Sequence, residues 1–155
     1  MPKLHLGKLA ITSPAFKHGD PIPSEHTGDG ADVSPEVNWS AVPGGTQQLA
    51  LVCHDPDAPL THGFTHWVIY GIPADATGIP QGGGSAFQEG PTDFGNQGYQ
   101  GPAPPPGHGT HYYYFHLYAL DAPVEAGPGL TRQELLERID DHIIEQARLV
   151  GTYQH

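Results

Sequence analysis

Histidine and carboxylate side chains gather in three short stretches of this chain: HDPDAP at residues 54–59, His66, and HYY at residues 111–113. Asp55 and Asp57 flank Pro56 and precede Pro59, and the fixed φ of each proline, with its restriction of the preceding residue, holds both carboxylates in one arrangement. Aspartate is also a common turn former, and a histidine at a strand start is commonly structural, so residue type alone leaves the plain reading open. What links the three stretches is placement, since each adjoins the end of an apolar run.

Three chemistries fit those residues. An anion pocket would use protonated or hydrogen-bonding His66, the Tyr113 hydroxyl and backbone amides near Gly101, with a carboxylate orienting an imidazole. If His66 must be charged to hold the anion, binding tightens as pH falls from about 8 to 6. A metal site would draw on His54, Asp55, His62 and His66, although Gly63, Phe64 and Thr65 suggest a loop or strand rather than the helix that would bring His62 and His66 together. Hydrolysis would need an Asp and His pair acting on water, or Cys53 or Ser85 as nucleophile. No GxSxG elbow is present, and Cys53 lies inside an apolar run.

The element that must position these groups is GPAPPPGHGTHYYYFHLYALD, residues 101–121. Its four prolines withhold backbone donors and predict a stiff extended loop. From His111 to Leu120 strand formers take over: His111, Tyr113, Phe115, Leu117 and Ala119 share one face, and Tyr112, Tyr114, His116, Tyr118 and Leu120 the other. Both faces are largely apolar or aromatic, which predicts a central, covered strand. A rigid loop at the mouth of such a strand suits a small-molecule pocket.

Further strands are expected at residues 4–12, at Val37 and Trp39, at 49–53 running into HDPDAP, and at 66–73. Residues 74–100 read mostly as a long loop. One helix is expected, from Thr131 to about Leu149, with a capping box at Thr131 and Glu134 and an apolar face of Leu135, Leu136, Ile139, Ile143, Ile144 and Ala147. The end, LVGTYQH, would add a last short strand.

At 155 residues the chain fits a single domain, 1–155, able to bury a core. With 21 Gly and 17 Pro it calls for many turns, and hence a β-rich domain. A formal charge of −11 with six Lys and Arg argues against nucleic acid or an anionic membrane as partner. Eleven histidines would cancel much of that acidity on mild acidification. One cysteine excludes an internal disulfide, and no apolar run approaches a membrane span, so a cytoplasmic protein without integral membrane association is expected.

Taken together, SPEVNWSAVPGGTQQLALVCHDPDAP (34–59), HWVIYGIP (66–73) and TDFGNQGYQGPAPPPGHGTHYYYFHLYALD (92–121) resemble the phosphatidylethanolamine-binding protein family, also called the Raf kinase inhibitor family, in its short bacterial branch. The resemblance covers nearly the whole chain. It implies a mainly β fold with a large central antiparallel sheet, a smaller second sheet and a C-terminal helix packed at the side. It implies a small cavity for phosphate-type anions, including the phosphatidylethanolamine head group, built from Asp55, Asp57, Pro59, His66, Gly101, Pro102, His111 and Tyr113. No catalytic residue, metal or cofactor is implied. The expected role is a non-enzymatic binding protein that regulates a kinase or another signalling partner; a hydrolase or metal-dependent enzyme at the same site is the alternative, and a homodimer stays open. Tyr112 stands where the family often has Arg, Gly28 where the bacterial branch often has Cys, and Asp141-His142 where a Gly-His pair is usual.

Overall fold

The computed structural model describes residues 7–58, 62–104 and 106–154. Among them, in chain order, are β1 (Ala10–Thr12), β2 (Val37–Ser40), β3 (Gln48–Asp55), β4 (Phe64–Pro73), β5 (Gly78–Ile79), β6 (Gln88–Glu89), β7 (His111–Leu120), α1 (Arg132–Ile139) and β8 (Ile143–Tyr153). The strands form a five-stranded sheet, β6-β4-β3-β7-β8, and a three-stranded sheet, β1-β2-β5. Both are antiparallel throughout. The mainly β architecture with one C-terminal helix is therefore the observed fold.

β3 sits in the middle of the large sheet because it is apolar on both faces. Leu49, Leu51 and Cys53 enter the core between the two sheets, with Trp39, Trp67 and Phe115. Ala50 and Val52 enter a second cluster beneath α1, with Val68, Tyr70, Leu135 and Ile139. Two large aromatic side chains in this packing have their polar atoms paired: Trp39 Nε1 donates to the Ala76 carbonyl at 2.7 Å, and the Tyr70 hydroxyl donates to the Gly127 carbonyl at 2.6 Å. Left unpaired, each would cost about 1–3 kcal/mol.

β7 lies inside the sheet, between β3 and β8. Its core face is buried from His111 to Ala119, as the alternation requires, but its outer face is covered only at Tyr118 and Leu120, and Tyr112 is exposed. The expectation of a strand covered on both sides thus holds for one face and for half of the other. The opening strand is Ala10–Thr12 within the described residues; residues 1–6 of the expected segment lie outside them.

The expected helix from Thr131 to about Leu149 is corrected: α1 ends at Ile139, a 3₁₀ turn spans Asp140–His142, and Ile143 begins an eleven-residue strand. The capping box is present, with Thr131 Oγ1 accepting from the Glu134 amide and Glu134 Oε1 accepting from the Thr131 amide, both at 3.1 Å. Beyond Ile139 the β-branched pair Ile143 and Ile144 favours extended backbone, and the edge of β7 offers a ladder along its whole length, from Leu120↔Ile143 to His111↔Tyr153.

Candidate functional site

The ends of β3, β4 and β7 meet at one corner of the large sheet. On β4, Trp67 and Ile69 face the inner core while Val68 and Tyr70 face the helix side, so strict alternation would send His66 to the helix side. The pairing with β3 prevents this. Cys53 pairs with Trp67 but His54 pairs with Thr65, so His66 is the extra residue of a β-bulge. The bulge turns the His66 ring inward, where its edge meets the inner-facing Tyr113 ring at 5.3 Å. Bulges that re-aim a side chain beside a site are a recurrent device. His66 is therefore the third residue of its strand, not the first.

Once turned, the ring is held by the chain leading into the proline loop. His66 Nδ1 lies 2.7 Å from the Gln100 carbonyl, while the Gln100 amide donates to the His66 carbonyl at 3.0 Å. A carbonyl only accepts, so Nδ1 carries the proton. Burial lowers the pKa of His66 below its ordinary value, ahead of the opposing effects of the Gln100 carbonyl and of Asp55, Asp32 and Asp93. The ring is thus neutral near pH 7, and with Nδ1 carrying the proton Nε2 is left as the lone-pair acceptor. Burial therefore works against a charged His66, the condition under which binding is expected to tighten as pH falls from about 8 to 6.

Asp55 is buried and saturated. Its Oδ2 lies 2.7 Å from His111 Nδ1, and its Oδ1 accepts the Asp57 amide at 2.7 Å, which closes the turn around Pro56. Asp57 is exposed, and its Oδ2 accepts the Tyr112 amide at 2.9 Å. The two acids of DPDAP therefore clamp the end of β3 onto the start of β7. They orient His111, whose ring stacks on Tyr113 at 6.4 Å and beneath exposed His108 at 5.9 Å. Burial and the nearby Asp55 charge push the Tyr113 hydroxyl well above its usual pKa, so it stays a donor.

Gly101 and Pro102 form the buried wall beyond Gln100. The Gly101 amide donates to Asp32 Oδ1 at 2.6 Å, and the Pro102 carbonyl accepts the Gly28 amide at 2.8 Å. A Cβ at Gly101 would collide with the His26 carbonyl oxygen, so only glycine allows the two loops to approach this closely. Phe64 and Phe94 close the other side, with rings 5.0 and 5.8 Å from His66. Of the eight expected site residues, Asp55, Asp57, His66, Gly101, Pro102, His111 and Tyr113 fall in this one corner through these contacts, and Pro59 lies outside the described residues. Gln100, Asp32, Phe64 and Phe94 were missed. For Gln100 the only signal was its adjacency to Gly101-Pro102; Asp32 and Phe94 come from distant loops.

The other chemistries separate in space. His54 points to the helix side, where its Nδ1 lies 3.2 Å from Thr65 Oγ1, while Asp55 and His66 turn inward, so the expected metal set is split between two faces. Among the described residues no group of three His, Cys, Asp or Glu side chains is placed to hold a metal ion. Burial, and then Asp55, push the Cys53 thiol up, which disfavours the nucleophilic thiolate. A cleft of about 800 Å³ opens elsewhere, beside α1. The polar atoms contributed by three strands converge at His66, so geometry rather than volume locates the candidate pocket.

Residues 12–154 match the family model described as phosphatidylethanolamine-binding protein. A UPF0098 protein of Methanothermobacter thermautotrophicus is 43% identical over 152 residues, covering 94% of this chain and 99% of that one. LppC of Mycobacterium tuberculosis, whose name marks it as a candidate lipoprotein, is 41% identical and covers 94% and 72%. The crystal structure of Escherichia coli YbcL, described as a new member of the mammalian PEBP family, superposes with a TM-score of 0.89 at 29% identity, over 96% of this chain and 99% of that one. With the family model, the sequence relatives and the fold in agreement, the chain belongs to the phosphatidylethanolamine-binding protein family, in its bacterial and archaeal UPF0098 branch.

Proposed function

We propose that this protein is a non-enzymatic binder of small phosphate-type groups, a free phosphorylated molecule or a phosphatidylethanolamine head group, at the corner formed by His66, Tyr113 and His111. The carrying observation is the bulged His66, neutral and fixed through Nδ1, packed in a T-shaped contact with the ring of Tyr113, whose hydroxyl stays protonated. One acceptor and one donor at the same mouth suit a ligand that itself carries both functions. A phosphate monoanion does so through its P–OH and P–O groups.

Gly101, Pro102, Asp55 and Asp57 keep that mouth open by tying its loops together, and Pro59 is assigned to the same rim by family resemblance. Regulation of a kinase or another signalling protein would act through occupancy of this mouth. We keep a cytoplasmic location as the proposal; the name of LppC points to a membrane-anchored alternative. Isothermal titration of phosphate and phosphorylethanolamine into wild type and His66→Ala tests the pocket. Millimolar or tighter binding that His66→Ala abolishes is expected, and equal binding by the variant removes the assignment.

A second reading has its own observation. The Asp55–His111 pair at 2.7 Å has the geometry by which a carboxylate orients an imidazole base, with Nε2 left without a partner among the described residues. A phosphatase and esterase screen decides it: turnover lost in His111→Ala would make the site hydrolytic.

A further inference from the structure

On the far side of the large sheet from His66, α1 leans over the start of β4 and leaves a cleft of about 800 Å³. That size falls in the range of small-molecule sites. The helix lines it with Arg132, Gln133, Glu137 and Asp140, and the opposite wall includes Thr65 and Asp93. We infer that this cleft binds a small zwitterion, with its anionic end on the Arg132 guanidinium and its ammonium end on the carboxylates of Glu137 and Asp140.

Arg132 is partly buried, yet among the described residues no carboxylate lies within ion-pair distance of it. Its charge faces the protein: it opposes protonation of His54 and His116, both on the helix-side face of the sheet, and is felt by Tyr118 as well. Asp93 acts on His54 in the opposite sense, but its Oδ2 is already engaged by the Thr65 amide at 2.7 Å. A guanidinium turned into a cleft without a carboxylate partner gains most from an anionic ligand.

Two residues run against the dipole of the helix, although Glu134 in its first turn and Arg138 in its last comply with it. Arg132 is its first residue, where a cation is disfavoured, and Asp140 caps its last turn, where an anion is disfavoured. Nothing in the capping box requires either, because Thr131 and Glu134 supply it. Local charge rules broken along one wall of a cleft mark a candidate site.

The carboxylates decide between an anion and a zwitterion. In a chain of net charge −11, an anion beside Glu137 and Asp140 meets repulsion. A neutral dipolar molecule uses both ends of the wall. Glu137 and Asp140 lie five and eight residues beyond Arg132, so the charges of the ligand should stand about 7–12 Å apart, less what side-chain reach takes up.

The probe is 6-aminohexanoate, with hexanoate and hexylamine as single-charge controls, titrated at pH 7 into the full ¹⁵N-labelled chain. The inference expects amide shifts at Thr65, Asp93 and Arg132 through Asp140, and binding about tenfold tighter than either control. Arg132→Gln and Glu137→Gln, each with a folded-protein spectrum, should both weaken it about tenfold or more. Shifts that are absent at millimolar probe or that gather around His66 and Tyr113, equal affinity for hexanoate, or variants that bind as wild type would each overturn it.

Discussion

His66 presents a lone pair because its proton is committed to the Gln100 carbonyl and burial resists a second one. Any pH dependence of binding at the His66 corner must then come largely from the ligand. A phosphate monoester gains its second proton near pH 6 and with it a donor for Nε2, so its affinity should rise as pH falls from about 7 to 5. Sulfate carries no such proton, and its affinity should stay flat over the same range. Parallel titrations of phosphate and sulfate separate the two causes, since a charged His66 would tighten both. At the neighbouring positions, Tyr113→Phe removes the donor and should weaken phosphate by about tenfold while leaving the fold intact, because the ring still fills the core. Gly101→Ala should act through structure: its Cβ meets backbone rather than a movable side chain, so a loss of about 1–3 kcal/mol is expected from urea unfolding.

At the scale of elements, the strands were legible where alternation and apolar runs agreed, and the error fell where two periodicities fit one segment. Leu135, Leu136, Ile139, Ile143 and Ile144 satisfy a helical stripe, yet Ile143 onward pairs with β7. Helical spacing was a local signal, and the deciding influence was a distant strand edge that no local pattern reports. The same limit applies to the site. DPDAP and the HYY stretch declared their chemistry through residue type, whereas the inward turn of His66 depends on a one-residue slip against β3 that sequence spacing does not encode. The capping box was readable because it is local, and its value is testable. Thr131→Ala should lower stability by about 1 kcal/mol without altering phosphate binding, as measured by urea midpoint and titration. Loss of β8 pairing in the same variant would mean that α1 and β8 form as one unit.

Across the whole molecule, acid should unfold this protein, through histidines kept neutral by burial. His54 and His116 are lowered from 6.5 to about 4, by desolvation first and then by the charge of Arg132, and His66 is lowered by burial as well. In the unfolded chain these imidazoles take up protons below about pH 6.5, whereas in the folded chain His54 and His116 resist until about pH 4. The unfolded state therefore binds more protons inside that window, and stability is fully present above it and declines as pH falls through it. For His54, buried against Thr65, the displacement corresponds to roughly 3 kcal/mol at about 1.4 kcal/mol per unit. Acidification acts a second time through net charge, because the histidines that burial does not hold neutral would offset part of the −11 and weaken the repulsion that keeps copies apart. Urea unfolding of wild type and His54→Gln across that range measures the first effect directly. The variant, which keeps a polar group for Thr65 but cannot titrate, should lose up to one proton's worth of the pH slope, about 1.4 kcal/mol per pH unit. An unchanged slope would show that His54 already carries its proton in the folded state and that the cavity side of the sheet is wetter than its packing indicates.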